Sequence, residues 1–534
     1  MTMSRETLWR PLLVAGGLVA LGYQVAAVWV FTADDSYITY QYSRNLAAGW
    51  GPVWNAGEPP VEGYTTFLWM LVMAGPHLLS ADPVLCAKVL GLLSTVGALL
   101  LTYQFARHLQ RTWHTSASGV WPAVSVLLLG VLPATAVHTV SGMETALFTF
   151  LLTALLYTVT LCAGEVTPRR AYGLAAVGLL TGLTRPEGNL ALLLACGALW
   201  TVTPRERRGP LLRALLLAYL LPGATYYVWR YWYYGHAFPL PFYVKTVGET
   251  MAGWPHVVHY LWSLVLPVGL LAAPGLRSRG LRLLLPAMVP AAGLMAFFVL
   301  PKHLMGYESR YLYPLTPALM AVGMAGVGET LRLMQPWLTM RSHRERSLML
   351  ATLIALIAAR TIDHYERGVA PTIARKQAYG LCLNAAHVAL GKYLAGFPGP
   401  RPLVGFNDAG AIPYFSRWRG LDLWGLNDAT IALHGKAEPG YSDYVLGRRP
   451  DLVIIGSSSA AEYKPTWPWE PGLHRRLLAA GMACVKVVTY DEGSYYLWLF
   501  SKPQSDVGRY VAAWEQPAGD RSRQGVGPAR GPGG

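Results

Sequence analysis

The chain has 534 residues, of which 53% are hydrophobic and only 14% charged, where a soluble globular domain carries about 25% charge. With a mean hydropathy of +0.31, that balance excludes an ordinary soluble domain and predicts a polytopic α-helical membrane protein whose first partner is the lipid bilayer. The net charge of +15 sits in short basic clusters between apolar segments, which is the pattern of cytoplasmic loops, so no nucleic-acid partner is expected.

Apolar segments able to span about 30 Å of hydrocarbon fall at 10–31, 84–106, 118–138, 145–163, 171–185, 189–203 and 211–231. Others fall at 257–275, 283–300, 313–331 and 347–360, which makes about eleven spans. Arg5 and Arg10 precede the first, which reads as an uncleaved anchor. The segment 64–80 is short, aromatic at its start and holds Pro76, so it is expected to lie on the membrane surface as a juxtamembrane helix. With 64–80 outside, one side of the membrane collects Arg107 and Arg111, then Arg169 and Arg170, then Arg205, Arg207, Arg208 and Arg213. The same side takes Arg277, Arg279 and Arg282, and finally Arg332, Arg341, Arg344 and Arg346. The positive-inside rule then puts the N-terminus in the cytoplasm of a multi-pass plasma (inner) membrane protein and the C-terminal region on the periplasmic or extracellular side.

The chemically varied residues gather on that outer side. They are Asp34, Asp35, Arg44, Glu58, Glu62, Glu144, Arg185, Glu187, the stretch His236 to Lys245, Glu308 and Arg310. Residues 1–361 thus form a membrane domain with a first outer loop at 32–83, and residues 362–515 read as a soluble α/β domain on the outer face. A helical stretch at 371–394 precedes short buried strands at Pro402 to Phe406 and Asp451 to Ile455, and a late hairpin at 485–489 and 495–500. Residues 516–534, rich in Gly, Pro, Arg and Ser, are expected to be disordered. Cys382 and Cys484 share the outer compartment, as a disulfide or as two unrelated thiols.

Neither ATP nor a nucleotide sugar is available outside the cell, so group transfer there needs a donor that is already activated, and a lipid phosphate suits that role. Such chemistry needs a carboxylate to take the proton of an acceptor hydroxyl and cations to hold the phosphate as it leaves. Asp34 and Asp35, with Asp34 preferred, are the candidate base and its partner, because adjacent carboxylates split their pKa values. A divalent cation, Mg2+ or Mn2+, held between them is an alternative use that needs a further oxygen ligand from elsewhere. Lys245, Arg310, Arg185 and His236 are the candidates for donor phosphate. Their structural alternatives are interfacial anchors for Lys245 and Arg310, the latter with Glu308 as partner, and an Arg185–Glu187 ion pair at a kinked helix end. Glu62 and Glu144 are weaker candidates, and Glu144 also suits the positive end of the following helix dipole.

Several stretches together carry a resemblance. They begin with Asp34-Asp-Ser-Tyr-Ile-Thr-Tyr-Gln-Tyr-Ser-Arg-Asn-Leu46, Gly49-Trp-Gly-Pro-Val-Trp-Asn55 and Val61-Glu-Gly-Tyr-Thr65. They continue with Gly142-Met-Glu-Thr-Ala-Leu-Phe148, Thr184-Arg-Pro-Glu-Gly188 and Tyr234-Gly-His-Ala-Phe-Pro-Leu-Pro-Phe-Tyr-Val-Lys245, and end in Asp408-Ala-Gly-Ala-Ile-Pro-Tyr-Phe415 and Asp422-Leu-Trp-Gly-Leu-Asn-Asp428. This set resembles the GT-C glycosyltransferase superfamily, and within it the terminal β-arabinofuranosyltransferases of mycobacterial cell walls and their bacterial relatives. The resemblance implies a GT-C fold with juxtamembrane helices, and transfer of a sugar from a decaprenyl- or undecaprenyl-phosphate donor to a cell-envelope glycan or glycolipid. The motifs fit a pentofuranose, such as arabinofuranose, and a hexose alike. By the same resemblance Asp34 is the base, Asp35 its partner, and Lys245 and Arg310 phosphate contacts, while Arg44, Glu62, Tyr64, Glu144, Asp408 and Asp428 hold the acceptor or the structure. Two rival readings are a transporter or flippase of a lipid-linked sugar and a non-catalytic sensor or assembly factor. The first calls for polar mid-membrane residues and an internal repeat, which the chain does not show; the second would not need the acidic pair.

Overall fold

The computed structural model describes residues 5–113, 120–246, 253–273, 278–300, 307–339 and 362–517, with residues 345 and 352 as isolated positions. Most of the expected span at 347–360, the basic residues Arg277, Arg341, Arg344 and Arg346, and most of the expected tail lie outside the described residues.

The chain enters through α1 (Arg5–Ala27), turns at the acidic pair into α2 (Ser36–Ala47), and returns through α3 (Phe67–Leu78). At 12 residues α3 is too short to cross, as expected for a surface helix. α4 (Pro83–Thr112) is opened by Asp82, whose side chain accepts from the Val84 amide at 2.8 Å, and by Pro83 in its first turn. Next come α5 (Trp121–Val131) and α6 (Pro133–Val140), which form one apolar run bent by 65° where Pro133 cannot continue the helix. α7 (Thr145–Gly164), α8 (Pro168–Thr184) and α9 (Glu187–Val202) follow. Long helices then run over Arg205–Tyr234, Ser278–Phe297 and Thr316–Thr339.

Among the described residues, five helices are long and apolar enough to cross a membrane, or six if the bent α5–α6 pair is one span. α8 and α9, expected as spans, have 17 and 16 residues, about 25 Å of helix each, and so fall short of that length. Inside the bundle, small residues let backbones meet. A Cβ on Gly130 of α5 would lie 2.2 Å from the Gly17 carbonyl oxygen of α1, the close approach that lipid-embedded helices use in place of a hydrophobic driving force.

Beyond Tyr365–Val369, the helix Ala370–Leu383 leads into a π-turn at Asn384–Val388 and a short helix at Ala389–Ala395. A five-stranded sheet follows, built from β1 (Leu403–Phe406), β2 (Arg419–Asp422), β3 (Leu452–Ser457), β4 (Ala483–Asp491) and β5 (Tyr495–Ser501). Its order is β2-β1-β3-β5-β4. β1 runs parallel to β2 and β3, whereas β5 is antiparallel to β3 and β4. β1 and β3 are buried at every position, which is why they read as unbroken apolar runs. The sheet does not stand apart. Ile38 and Tyr42 of α2, Trp54 and Tyr64 share one core with Val404, Phe406, Ile454 and Leu497.

Candidate active site

The acidic pair sits where α1 has ended and α2 begins. The turn is pinned by the Ala33 amide, which donates to the Ser141 carbonyl at 2.9 Å. Asp35 caps α2 without using its side chain, so both carboxylates are left for other work. The Asp34 amide donates to the Tyr379 hydroxyl at 3.1 Å, and Asp34 Oδ1 accepts from the Ala411 amide at 2.8 Å. Gly410 makes this approach possible. A Cβ there would lie 2.2 Å from both the Asp34 carbonyl oxygen and Oδ2.

Behind this loop stands a second polar group. His387 is buried in the π-turn, and its Nε2 donates to Asp408 Oδ2 at 2.9 Å, where the Tyr495 hydroxyl also donates at 2.9 Å. Its Nδ1 is buried with no hydrogen-bond partner among the described residues. Burial opposes the imidazolium, but Asp408 and then Asp34 outweigh it and raise the His387 pKa. Burial pushes the Asp34 carboxyl up to about 6, against the pull of His387. Asp35 is also raised by burial, and the charges that oppose this are different ones, Arg310 and Lys245. The two carboxylates therefore face different partners, Asp34 the sheet domain and Asp35 the cations.

The cation side centres on Glu144. Its Oε1 accepts from Arg310 Nη2 at 3.2 Å and Arg185 Nη1 at 3.3 Å, with all three side chains buried. Burial works against the Glu144 charge, yet Arg310 and Arg185 hold its carboxyl below the ordinary value. Arg185 also pairs with Glu187 at 2.5 Å, as expected, and lies over the Phe148 and Tyr311 rings. The expected Arg310–Glu308 pair does not form. Glu308 takes a left-handed backbone (φ +48°), its carbonyl faces His138 Nε2 at 3.0 Å, and its carboxylate lies 3.9 Å from Arg375. Glu144 does not bond the α7 amides and serves the arginines instead.

Lys245 closes the short helix Leu240–Thr246, and its charge acts on Asp35 and on the Tyr311 hydroxyl. His236 has its ring 6.4 Å from that of Tyr243, and its carbonyl accepts from Arg230. The remaining candidates make contacts within the protein. Arg44 donates to the Tyr414 carbonyl at 2.6 Å, and Glu62 makes a buried pair with Arg230 at 2.6 Å. The Tyr64 and Tyr234 hydroxyls bond at 2.9 Å, and Asp428 caps the helix Ala429–His434 through the Ile431 amide. Cys382 and Cys484 are both free. Sequence reasoning did not single out His387, Tyr379, Ala411 or Tyr495. The one available signal was Tyr379 and His387 eight residues apart on a helical stretch, which is two turns and thus roughly one face.

The comparisons bear on this geometry. Residues 372–498 match the model of a domain of unknown function, DUF8728. A terminal β-(1→2)-arabinofuranosyltransferase of Corynebacterium glutamicum is 29% identical over 294 residues, 49% of this chain and 41% of its own. The Mycobacterium tuberculosis enzyme of the same name is 31% identical over 253 residues, 44% of this chain and 38% of its own. The chain thus aligns with about two fifths of the length of these curated relatives. Among solved structures, ArnT from Cupriavidus metallidurans bound to undecaprenyl phosphate superposes with a TM-score of 0.56 at 15% identity, over 92% of this chain and 98% of that one. Its apo state gives 0.50 at 14% identity, over 96% and 100%. By sequence part of the chain is similar to terminal β-(1→2)-arabinofuranosyltransferases, and its fold is like that of ArnT.

Proposed function

We propose that this protein is a multi-pass membrane glycosyltransferase that moves a sugar, arabinofuranose by sequence likeness, from a polyprenyl-phosphate donor to a cell-envelope glycan or glycolipid at the outer face of the plasma membrane. The observation that carries the reading is the division of labour at the acidic pair, with Asp34 held by a backbone amide beside His387 and Asp35 facing Arg310 and Lys245. The ArnT structure with undecaprenyl phosphate supports a lipid-phosphate donor.

In this reading Asp34 takes the proton of the acceptor hydroxyl as its oxygen bonds to the anomeric carbon. The bond from that carbon to the phosphate oxygen breaks, and polyprenyl phosphate leaves with the electron pair. Lys245 and Arg310 stabilise the charge that develops on the phosphate. Glu144 and Arg185 position Arg310, because a guanidinium locked by a buried carboxylate does not have to reorganise during the step. Among the described residues no three His, Cys, Asp or Glu side chains form a metal-binding group, and Asp34 Oδ1 is already used by the Ala411 amide. The proposed transfer needs no divalent cation, and no step is routed through one.

The test is sugar transfer by purified protein from a polyprenyl-phosphate arabinofuranose donor, with Asp34→Asn and Asp35→Asn beside wild type. Asp34→Asn is expected to lose at least a hundredfold in rate, and wild-type transfer to continue in EDTA. Wild-type rates in both variants would overturn the catalytic assignment.

A further inference from the structure

β1, β2 and β3 run parallel, so their carboxyl ends lie along one edge of the sheet. In open α/β sheets that edge is where ligands bind, because the loops leaving the strands diverge there and open a crevice. Here β1, the middle strand, delivers Asn407 and Asp408 and then the Gly410–Ala411 turn that grips Asp34. The loops on either side deliver tryptophans. Trp424 follows β2, and Trp467 and Trp469 close the loop after β3.

These three rings form one patch. Trp467 and Trp469 are stacked with centroids 5.5 Å apart, and Trp424 stands edge-on to both at 4.7 and 4.6 Å. The Lys436 ammonium lies 4.8 and 4.6 Å from the Trp424 and Trp469 ring centres. Unlike Trp418 and Trp514, which are buried in the core, all three stay partly exposed.

The loops that carry them are fixed by buried carboxylates. Asp422, the last residue of β2, accepts from the Trp424 and Asn427 amides at 2.8 and 2.9 Å. Glu470 accepts from the Thr466 and Trp467 amides at 2.6 and 2.9 Å, and its other oxygen accepts from Asn407 Nδ2. The tryptophan loop is therefore tied to residue 407, four residues before the amide that holds Asp34, at most about 14 Å of extended chain.

We propose that Trp424, Trp467 and Trp469, with Lys436, form a glycan-binding platform at the carboxyl edge of the sheet, on which the acceptor chain lies with its end directed to Asp34. The C–H face of a sugar ring packs on an indole, and a neighbouring donor serves its hydroxyls; aromatic walls with a few placed polar groups are the usual make-up of such a site. The inference rests on the transferase reading for the identity of the ligand, but binding at the platform is measured without catalysis.

The probe is a synthetic arabinofuranosyl hexasaccharide, compared with a methyl arabinofuranoside, added to the full-length protein in detergent and followed by tryptophan fluorescence. Wild type is expected to bind the hexasaccharide at least tenfold more tightly than the monosaccharide. Trp424→Ala and Trp467→Ala are expected to lose that tenfold preference and to raise acceptor KM by the same factor, with donor KM and kcat within twofold of wild type. Trp467→Phe, which keeps an aromatic face, should restore most of the preference and guards against a folding defect. Equal hexasaccharide affinity in wild type and both alanine variants would overturn the platform. Asp34→Asn separates the two ideas, since it should bind the hexasaccharide normally and fail to transfer; normal transfer by that variant would sink the catalytic reading alone.

Discussion

Asp34 and Asp35 are neighbours in the chain and opposites in surroundings. With its carboxyl pushed up to about 6 by burial, Asp34 as base must lose its proton before it can act. The rate of transfer, read as kcat/KM, should therefore fall as pH drops through about 6 and level off above it. The positive charge of His387 lowers the Asp34 pKa, so removing it must move that limb upward. His387→Gln is expected to shift the acid limb to higher pH while donor KM changes little. A variant that slows transfer equally at every pH would reduce His387 to a packing role. The facing groups set the sign. Asp408, Tyr495 and Tyr490 surround the imidazole, and of these Asp408 carries the negative charge that favours imidazolium.

At the scale of elements, the site depends on how closely the turn before Ala411–Ser416 meets the start of α2. Gly410→Ala places a methyl 2.2 Å from the Asp34 backbone oxygen, and backbone cannot swing aside as a long side chain can. Transfer is expected to drop by more than tenfold, with a thermal unfolding profile close to wild type, because the sheet behind the turn keeps its pairing. This contact also marks where sequence reading stopped. The helices α1, α4 and α7 were legible as long apolar runs and the strands β1, β3 and β5 as short ones. β2 was not legible, since Arg419-Gly-Leu-Asp is too short and mixed to carry a pattern. The acidic pair stood out as charge beside a span. His387, Ala411 and Tyr495 did not, because their roles come from contacts across the fold, and a lone histidine on an apolar stretch has the same local signature whether it packs or acts.

For the molecule as a whole, the shared core of α2, the first loop and the sheet joins the membrane part to the C-terminal domain. The orientation argued from charge makes a prediction at this scale. A reporter enzyme that works only after export, fused at about residue 400, is expected to be active, and a cytoplasmic signal there would reverse the topology. The Glu62–Arg230 pair, buried where the first loop meets the helix Arg205–Tyr234, is part of the same joint. Glu62→Gln leaves the guanidinium buried without its counter-charge and is expected to cost about 3–5 kcal/mol, read as a lower unfolding midpoint in detergent.

The hydrogen bond from the Ala411 amide to Asp34 spans 377 residues of chain. Translation makes Asp34 almost at once and the amide that holds it much later. A chain still being made thus lacks the amide that holds Asp34 until the Gly410 turn has folded back onto it. On the proposed function, a chain cut before residue 400 is therefore expected to show no sugar transfer, which an assay of such truncations beside the full chain would check.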